Sequence, residues 1–418
     1  MTTTPRTMAV LLGAGASADA DIPTTVTMTE RIIERLSDPQ HKRLLEYVNH
    51  TLRADASARG SETVDVERLF ASIELLIDRY DQPWSPFVAA WSRDLELFSP
   101  QPSIGPFDLS TEKRRIDEAL RGLLPDSRGN VARRPHSGQG LIGDQVVQTI
   151  VRAIQKMRPS EVSDLLDDVR HEMLRSLYDL LKINDVTKTA YLAPLIELSV
   201  RQGSLTIATL NYDRSVEEAA ALQGIECETG IETWLSTRRL EWPRSGLRLL
   251  KLHGSIDWAL HEAGGWGQLP SKTVQKLDPT AAGAPRLEPA IVFGQAGKLR
   301  AEGPYLELLL AWYRDLQRAD TLLVVGYSFR DVHVNEMIAR WFNADPAHRI
   351  VLLDPADPRA HYSFGPPSTF GQHFVYIDRP QRSDEPPPDF LRFEYIAGKT
   401  SDFLDQAIAA AALGVNTA

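Results

Sequence analysis

The chain of 418 residues contains a single cysteine, Cys227. One cysteine excludes a disulfide bond within the chain and a zinc site built from several thiolates. Cys227 is most simply interpreted as a small core residue. No run of lysine and arginine stands out, and the net charge of −10 disfavours broad nucleic-acid binding, which requires a basic surface. The sequence therefore predicts neither a zinc module nor a strong nucleic-acid interaction.

Long apolar runs are also missing. The apolar part of the opening segment, MTTTPRTMAVLLG, is too short for a signal peptide, and no segment has the length of a transmembrane helix. We therefore expect a cytoplasmic protein without a membrane partner. The hydrophobic content of 43% suffices for a sizeable core, in one large domain with an insertion or in two domains.

Short runs rich in Val, Ile and Leu predict the strands of a parallel sheet. Each run is nearly continuous rather than alternating, as is typical of strands that are covered on both faces. Helical patterns follow several of these runs, so we expect an α/β fold with a Rossmann-like, doubly wound parallel sheet. The runs are MAVLL at 8–12, LTIATL at 205–210, RLLKL at 248–252, AIVF at 290–293, TLLVV at 321–325 and RIVLL at 349–353.

The second predicted strand comes very late, after a long and mainly helical segment. Apolar residues recur at spacings of three and four over 65–80 and 160–182, whereas 124–144 lacks periodicity and is interpreted as a mobile loop. This pattern predicts a large helical insertion in the sheet. The predicted domains are a Rossmann domain at 1–30 and 200–400, a helical insertion at 31–199, and a C-terminal helix or tail at 401–418.

Small or polar residues directly follow four of the predicted strands, in GAGAS, LNYD, LHGS and VGYSF. The carboxyl ends of parallel strands meet at one edge of a sheet, where ligands bind. Gly13 and Gly15 fit either a tight turn or a backbone cradle for phosphate. The GxGxxG fingerprint is incomplete, because Ala18 occupies the place of the third glycine.

Each of these motifs has an ordinary structural interpretation when taken alone. Asn211 and Asp213 are residue types that often turn the chain and cap the next helix. A lone histidine such as His253 at a strand end is more often structural than catalytic. Together, however, the four motifs place polar groups at one sheet edge, which a purely structural interpretation does not predict.

The ordered set GAGAS, TLNYD, KLHGS and VVGYSF resembles the sirtuin NAD-binding fold, in particular its bacterial sirtuin-like branch associated with antiphage defence. The resemblance covers 8–27 and about 204–356, and it leaves the helical insertion out. It implies an NAD+ hydrolase that cleaves the nicotinamide–ribose bond to give ADP-ribose and nicotinamide. Such an enzyme would act as a defence effector by depleting NAD+.

The resemblance also implies roles for individual residues. Asn211 would hold the nicotinamide ribose and the attacking water, Asp213 would contact the nicotinamide end, and His253 would be the base. The residues implied to contact NAD+ are Gly13, Ala14, Gly15, Ala16, Ser17, Pro23, Thr209, Asn211, Asp213, Gly326, Ser328, Phe329 and Asp354.

The chain departs from deacetylating sirtuins in two respects. It lacks the cysteines of their zinc module, and ADIPTTVTM stands where they carry a phenylalanine-arginine pair. Deacetylation is therefore disfavoured. A non-catalytic NAD- or ADP-ribose-binding scaffold or sensor and an ADP-ribosyltransferase stay as alternatives. The resemblance further implies a homo-oligomer, with a HerA-like ATPase as a separate partner.

Overall fold

The computed structural model describes residues 7–58, 64–77, 159–202, 205–242, 247–263, 271–277, 289–291, 303–356 and 392–412. The chain divides into two compact units. One unit comprises 1–36, 52–71 and 173–418, and the other comprises 37–51 and 72–172. Both sheets and every candidate site residue belong to the first unit. The predicted domain boundaries stay a prediction, because most of the predicted insertion lies outside the described residues.

The secondary structure of the described residues alternates in the way that the sequence predicts. The strands are β1 (Met8–Leu12), β2 (Thr206–Thr209), β3 (Cys227–Glu228), β4 (Leu247–Lys251), β5 (Gly254–Ala263), β6 (Ser271–Lys276), β7 (Pro289–Ile291), β8 (Thr321–Val325), β9 (Arg349–Asp354) and β10 (Phe393–Ala397). The α-helices are α1 (Thr25–Arg35), α2 (Pro39–Ala58), α3 (Val66–Ile77), α4 (Pro159–Leu181), α5 (Ala193–Gln202), α6 (Ser215–Leu222), α7 (Trp234–Thr237), α8 (Tyr305–Leu316), α9 (Val332–Ala344) and α10 (Thr400–Ala412). Two 3₁₀ helices span Ala14–Ala20 and Val186–Leu192.

Seven strands form a parallel sheet in the order β10–β9–β8–β1–β2–β4–β3. The chain order reverses between β1 and β8, because β2 lies on one side of β1 and β8 on the other. In doubly wound sheets, ligands bind beyond the carboxyl ends of the strands at such a switch point. The predicted Rossmann-like fold is confirmed.

The apolar strand residues alternate between two hydrophobic layers. Leu11 of β1 lies in one layer with Trp312 of α8 and Ile338 of α9. Its neighbour Val10 lies in the other layer with Leu195 of α5, and α6 and α10 contribute to the same layer. Helices therefore cover both faces of the sheet, which explains why the strands appear in the sequence as continuous apolar runs.

The prediction for 290–293 as a strand of the parallel sheet is wrong. The strand there is β7, which pairs antiparallel with β5 in a separate three-stranded sheet of order β6–β5–β7. A short apolar run has the same appearance in either kind of sheet, so its pairing could not be deduced from the pattern. This second sheet follows β4 directly in the chain.

The predicted helices of the long segment between β1 and β2 are confirmed where the structure describes them. The periodic segment 65–80 contains α3, and 160–182 matches α4 to within one residue at each end. The predicted loop at 124–144 lies outside the described residues. The predicted closing helix is α10, which packs against β9 and β8. No helix in the described part of the chain is both long and apolar enough to span a bilayer.

Candidate functional site

The loop after β1 packs directly against the loop after β8. The backbone N–H of Gly13 donates to Val325 O and that of Gly15 donates to Gly326 O, each at 2.9 Å. Gly326 has a φ of +61°, and a Cβ there would lie 2.2 Å from the nitrogen of Ala16. Close packing of the two backbones therefore requires glycine at 326, independently of any ligand.

Hydrogen bonds within the chain limit the anion-binding capacity of the loop after β1. The N–H groups of Gly13, Gly15 and Ala16 all donate to carbonyl oxygens of this chain. A phosphate at this loop would therefore depend on other donors. The amides at the start of α1 are such donors, because the N-cap residue Thr24 makes no side-chain capping bond.

We expect Gly326→Ala to lower the free energy of unfolding by about 2–3 kcal/mol, because its methyl group meets backbone atoms and a positive φ strains alanine. Gly224→Ala is the matched control. Gly224 has a φ of +67°, but a Cβ there meets no atom within 4 Å, so only the strain of about 1 kcal/mol applies. Urea denaturation measures both losses, and equal losses would contradict the role given to loop packing.

Asn211 connects the loops after β1 and β2. Its Nδ2 donates to Gly13 O at 2.8 Å and to Ser17 Oγ at 2.9 Å, and the Ser17 hydroxyl donates to Asp213 Oδ1 at 3.1 Å. No hydrogen bond to Asn211 Oδ1 occurs within the described residues. The amide is thus held by its nitrogen, and its oxygen can accept a hydrogen bond from a hydroxyl or a water.

Asp213 is buried and has structural partners. Its Oδ1 also accepts from the N–H of Ser215 at 2.9 Å, at the start of α6, so the residue does turn the chain and support the next helix. Its backbone oxygen accepts from Nζ of Lys251, which is fully buried and also bonds Glu217 Oε1 at 2.9 Å. Burial raises the pKa of Glu217 above its ordinary value, against the lowering effect of Lys251.

His253 lies in the junction between β4 and β5 and is only 4% exposed. Its Nε2 lies 2.8 Å from Asp331 Oδ2, a carboxylate at the start of α9. The other oxygen of Asp331 accepts from the N–H groups of His333 and Val334, so Asp331 caps α9. No motif in the sequence pointed to the contact between Asp331 and His253.

The second ring nitrogen of His253 faces Glu67. Nδ1 has no hydrogen-bond partner in the described residues and lies 3.8 Å from Glu67 Oε1. The Tyr212 hydroxyl donates to the same oxygen at 3.0 Å. Burial and the carboxylate of Glu67 raise the pKa of Tyr212 well above its ordinary value, so its hydroxyl stays a donor. Because Glu67 belongs to the helical segment outside the four motifs, no motif pointed to it.

Asn211 and His253 emerge side by side from the sheet. Thr209 of β2 pairs in register with Lys251 of β4. Asn211 follows Thr209 by two positions, and His253 follows Lys251 by two positions. Both residues therefore lie at the same edge, although their polar partners differ. Asn211 bonds the loop after β1, whereas His253 contacts Asp331 from the loop after β8. Their catalytic roles stay predictions.

The residues predicted to contact the rest of NAD+ differ in exposure. Ser328 is exposed, whereas Phe329 is 1% exposed and packs on Tyr327 with ring centroids 4.9 Å apart. The side chain of Phe329 thus belongs to the core. Asp354 is half-buried at the end of β9, where its Oδ1 accepts from the N–H of Ala356 at 2.8 Å.

Three further predicted contact residues follow β1 or end β2. Ala14 is half-buried in the 3₁₀ helix after β1, and Pro23 is buried just before α1. Thr209 is buried at the end of β2, where its hydroxyl oxygen accepts from the N–H of Asn211 at 3.1 Å. Thr209 therefore supports the backbone of Asn211.

Cys227 is half-buried on β3, where burial raises the pKa of its thiol. The uncharged thiol is a poor nucleophile and a poor metal ligand. In the described ranges, no group of three or more His, Cys, Asp or Glu residues is arranged to hold a metal ion.

Residues 205–364 match the sequence profile of the SIR2-like domain family. This segment carries the LNYD, LHGS and VGYSF motifs and is less than half of the chain, and the match supports a sirtuin-like assignment for it. No curated protein sequence matches the chain.

Several solved structures are similar to the chain at low identity. One is a Sir2 homologue in complex with NAD, at 12% identity over 97% of this chain and 90% of that one, with a TM-score of 0.38. A mutant Sir2 homologue with ADP-ribose has 13% identity over 97% and 92%, with a TM-score of 0.36. A Sir2–p53 peptide–NAD+ complex has 11% identity over 97% and 93%, with a TM-score of 0.33.

Proposed function

We propose that this protein binds NAD+ at the carboxyl edge of the parallel sheet and hydrolyses its nicotinamide–ribose bond. The observation that carries the proposal is the emergence of Asn211 and His253 from adjacent strands, with Asn211 bonded to the loop after β1. The match of 205–364 to the SIR2-like domain supports the choice of NAD+ as the substrate. The products are nicotinamide and ADP-ribose.

The proposed chemistry requires a positioned water and a proton acceptor. As the bond from the ribose C1′ to the nicotinamide nitrogen breaks, its electron pair leaves with nicotinamide and positive charge develops on the sugar. A bond from the water oxygen to C1′ then forms, and the proton of that water passes to a base. Fixed groups lower the barrier because they need no reorganisation during the reaction.

Asn211 and His253 fit these two tasks. The two hydrogen bonds made by Asn211 Nδ2 fix the direction of its oxygen, which we assign to a ribose hydroxyl or the attacking water. Asp331 holds Nε2 of His253, which leaves Nδ1 to accept the proton. His253 is thus the proposed base.

The remaining contacts with NAD+ are proposed from the same edge. Ala14 and Gly15 are half-buried, and neither carries more than a methyl group, so a ligand can approach their backbone. Ser17 supplies a hydroxyl beside Asn211. Ser328 and Asp354 follow β8 and β9, and we assign them to the adenosine half.

For the biological role, we propose antiphage defence through depletion of NAD+ in the cytoplasm. This part of the proposal is supported by the resemblance of the four motifs to the defence branch of sirtuin-like proteins. The same resemblance supports a homo-oligomer and a HerA-like ATPase as a separate partner. Co-purification of the chain with an ATPase encoded beside it tests the partnership.

Incubation of the purified full-length protein with NAD+ tests the activity. Chromatography should detect nicotinamide and ADP-ribose in equal amounts, either from the protein alone or after addition of the ATPase partner. Nicotinamide release with ADP-ribose attached to a macromolecule would instead show a transferase. NAD+ binding in calorimetry without turnover, both with and without the ATPase, would show a scaffold. Absence of both binding and turnover would refute the whole proposal.

A further inference from the structure

The start of α3 is fastened to the segment that carries Asp331. Asp65 accepts from the N–H of Arg68 at 2.8 Å and so caps the first turn of α3. Its other oxygen lies 3.6 Å from Arg330, the residue before Asp331. These contacts hold Glu67, in the first turn of α3, beside the imidazole of His253.

The two ring nitrogens of His253 are in unequal surroundings. Nε2 is within hydrogen-bond distance of Asp331, whereas Nδ1 is buried without a partner in the described residues. A buried nitrogen of this kind carries a free-energy cost unless a ligand or a proton uses it. The oxygen of Glu67 at 3.8 Å is too far for a hydrogen bond but close enough for a strong charge interaction.

We propose that Glu67 is a positioning residue for His253. Its carboxylate stabilises the imidazolium that forms when Nδ1 of His253 accepts a proton. The catalytic consequence of this inference rests on the proposed function. Asp331 keeps the Nε2–H of the neutral ring, so the lone pair of Nδ1 is left to accept a proton. When an O–H bond of the water or of a ribose hydroxyl breaks, its proton forms the Nδ1–H bond and the ring becomes positively charged.

The charged groups around His253 favour that state. Asp331 faces the ring from the start of α9, and Glu67 faces it from α3. Tyr212 faces it from the loop after β2, with ring centroids 6.3 Å apart, and contributes an uncharged hydroxyl that orients Glu67. Asp65, two residues before Glu67, is paired with Arg330. The positively charged ring thus lies between two carboxylates.

Glu67→Gln in the full-length protein tests the inference. Loss of the carboxylate should lower kcat for NAD+ hydrolysis by about 10-fold and leave KM within about twofold, because Glu67 acts through His253 and not on the substrate. The acidic limb of the pH–rate profile should move to lower pH, since the protonated ring loses one negative neighbour. Glu67→Asp keeps the charge and should largely restore the limb.

A second measurement separates this inference from the proposed function. The protein is labelled with ¹⁵N-histidine for NMR, and the signals of His253 are identified as those absent from the spectrum of His253→Ala. The ring should become doubly protonated at a lower pH in Glu67→Gln than in the wild-type protein, whether or not the protein hydrolyses NAD+. A protein without NAD+ turnover would refute the proposed function, and this measurement would still decide the role of Glu67.

Glu336→Gln is the matched control, because this carboxylate is exposed on α9 and pairs with the exposed Arg340. If Glu67→Gln has its acidic limb at the same pH as Glu336→Gln and shows the same ¹⁵N titration of His253, the inference is overturned. If Glu67→Gln does not fold, Tyr212→Phe replaces it, since it removes the hydrogen bond that orients Glu67. A lower kcat at unchanged KM would then support the inference, and an unchanged kcat would refute it.

Discussion

Replacement of Asn211 or His253 by alanine should lower kcat for NAD+ hydrolysis by about 10²–10⁴-fold. Asn211→Ala removes the oriented oxygen assigned to the water or ribose, together with the bonds to Gly13 and Ser17. His253→Ala removes the base and leaves Asp331 without its imidazole partner. Product formation is followed by chromatography, and calorimetry measures whether NAD+ still binds.

Two exposed residues of the same types supply the controls. Asn343→Ala at the end of α9 and His171→Ala on α4 alter exposed side chains outside the four motifs, and both should leave kcat unchanged. Thermal melting of all four variants shows whether a loss of rate reflects unfolding. Wild-type turnover in folded Asn211→Ala or His253→Ala would refute the assigned roles.

Lys251→Met should lower the free energy of unfolding by about 3–5 kcal/mol at neutral pH. Lys251 is completely buried and compensates the carboxylate of Glu217, which is itself buried. Without the ammonium group, an uncompensated charge is left in the core, and the backbone oxygen of Asp213 loses its donor. Urea denaturation with a constant m-value measures the loss.

The pH dependence of this loss has a definite sign. Burial already raises the pKa of Glu217 in the wild-type protein, so in the variant the folded state binds its proton more readily than the unfolded chain does. The folded state then gains stability as the pH falls toward the ordinary range of a glutamate, and the difference from wild type shrinks. A difference that grew as the pH fell would contradict this assignment.

Lys188→Met is the control for Lys251→Met. Lys188 also pairs with an acid, Asp21, but both side chains are largely exposed, at 46% and 72%. Exposed pairs contribute little, so the loss should stay below about 1 kcal/mol. Lys251→Met combined with Glu217→Leu should recover most of the stability, because neither charge of this buried pair is left. An equally large loss in Lys188→Met would show that burial is not the cause.

The local sequence patterns determined most of the sheet. The run TLLVV coincides with β8, and MAVLL with β1, because a strand covered on both faces needs an apolar residue at every position. Since all parallel strands present their carboxyl ends at one edge, the sequence also predicted which segments would meet.

The tertiary structure alone decided which side chains touch at that edge and which strands pair outside the sheet. Tyr212 bonds Glu67 across 145 residues of chain, and His253 contacts Asp331 across 78. Sequence patterns also did not predict the pairing of β7 with β5 or the burial of Lys251 beside Glu217. Residue patterns report whether a position is covered, because burial depends on the local period of a helix or strand. They do not report the partner, because contacts between distant segments depend on how every element packs.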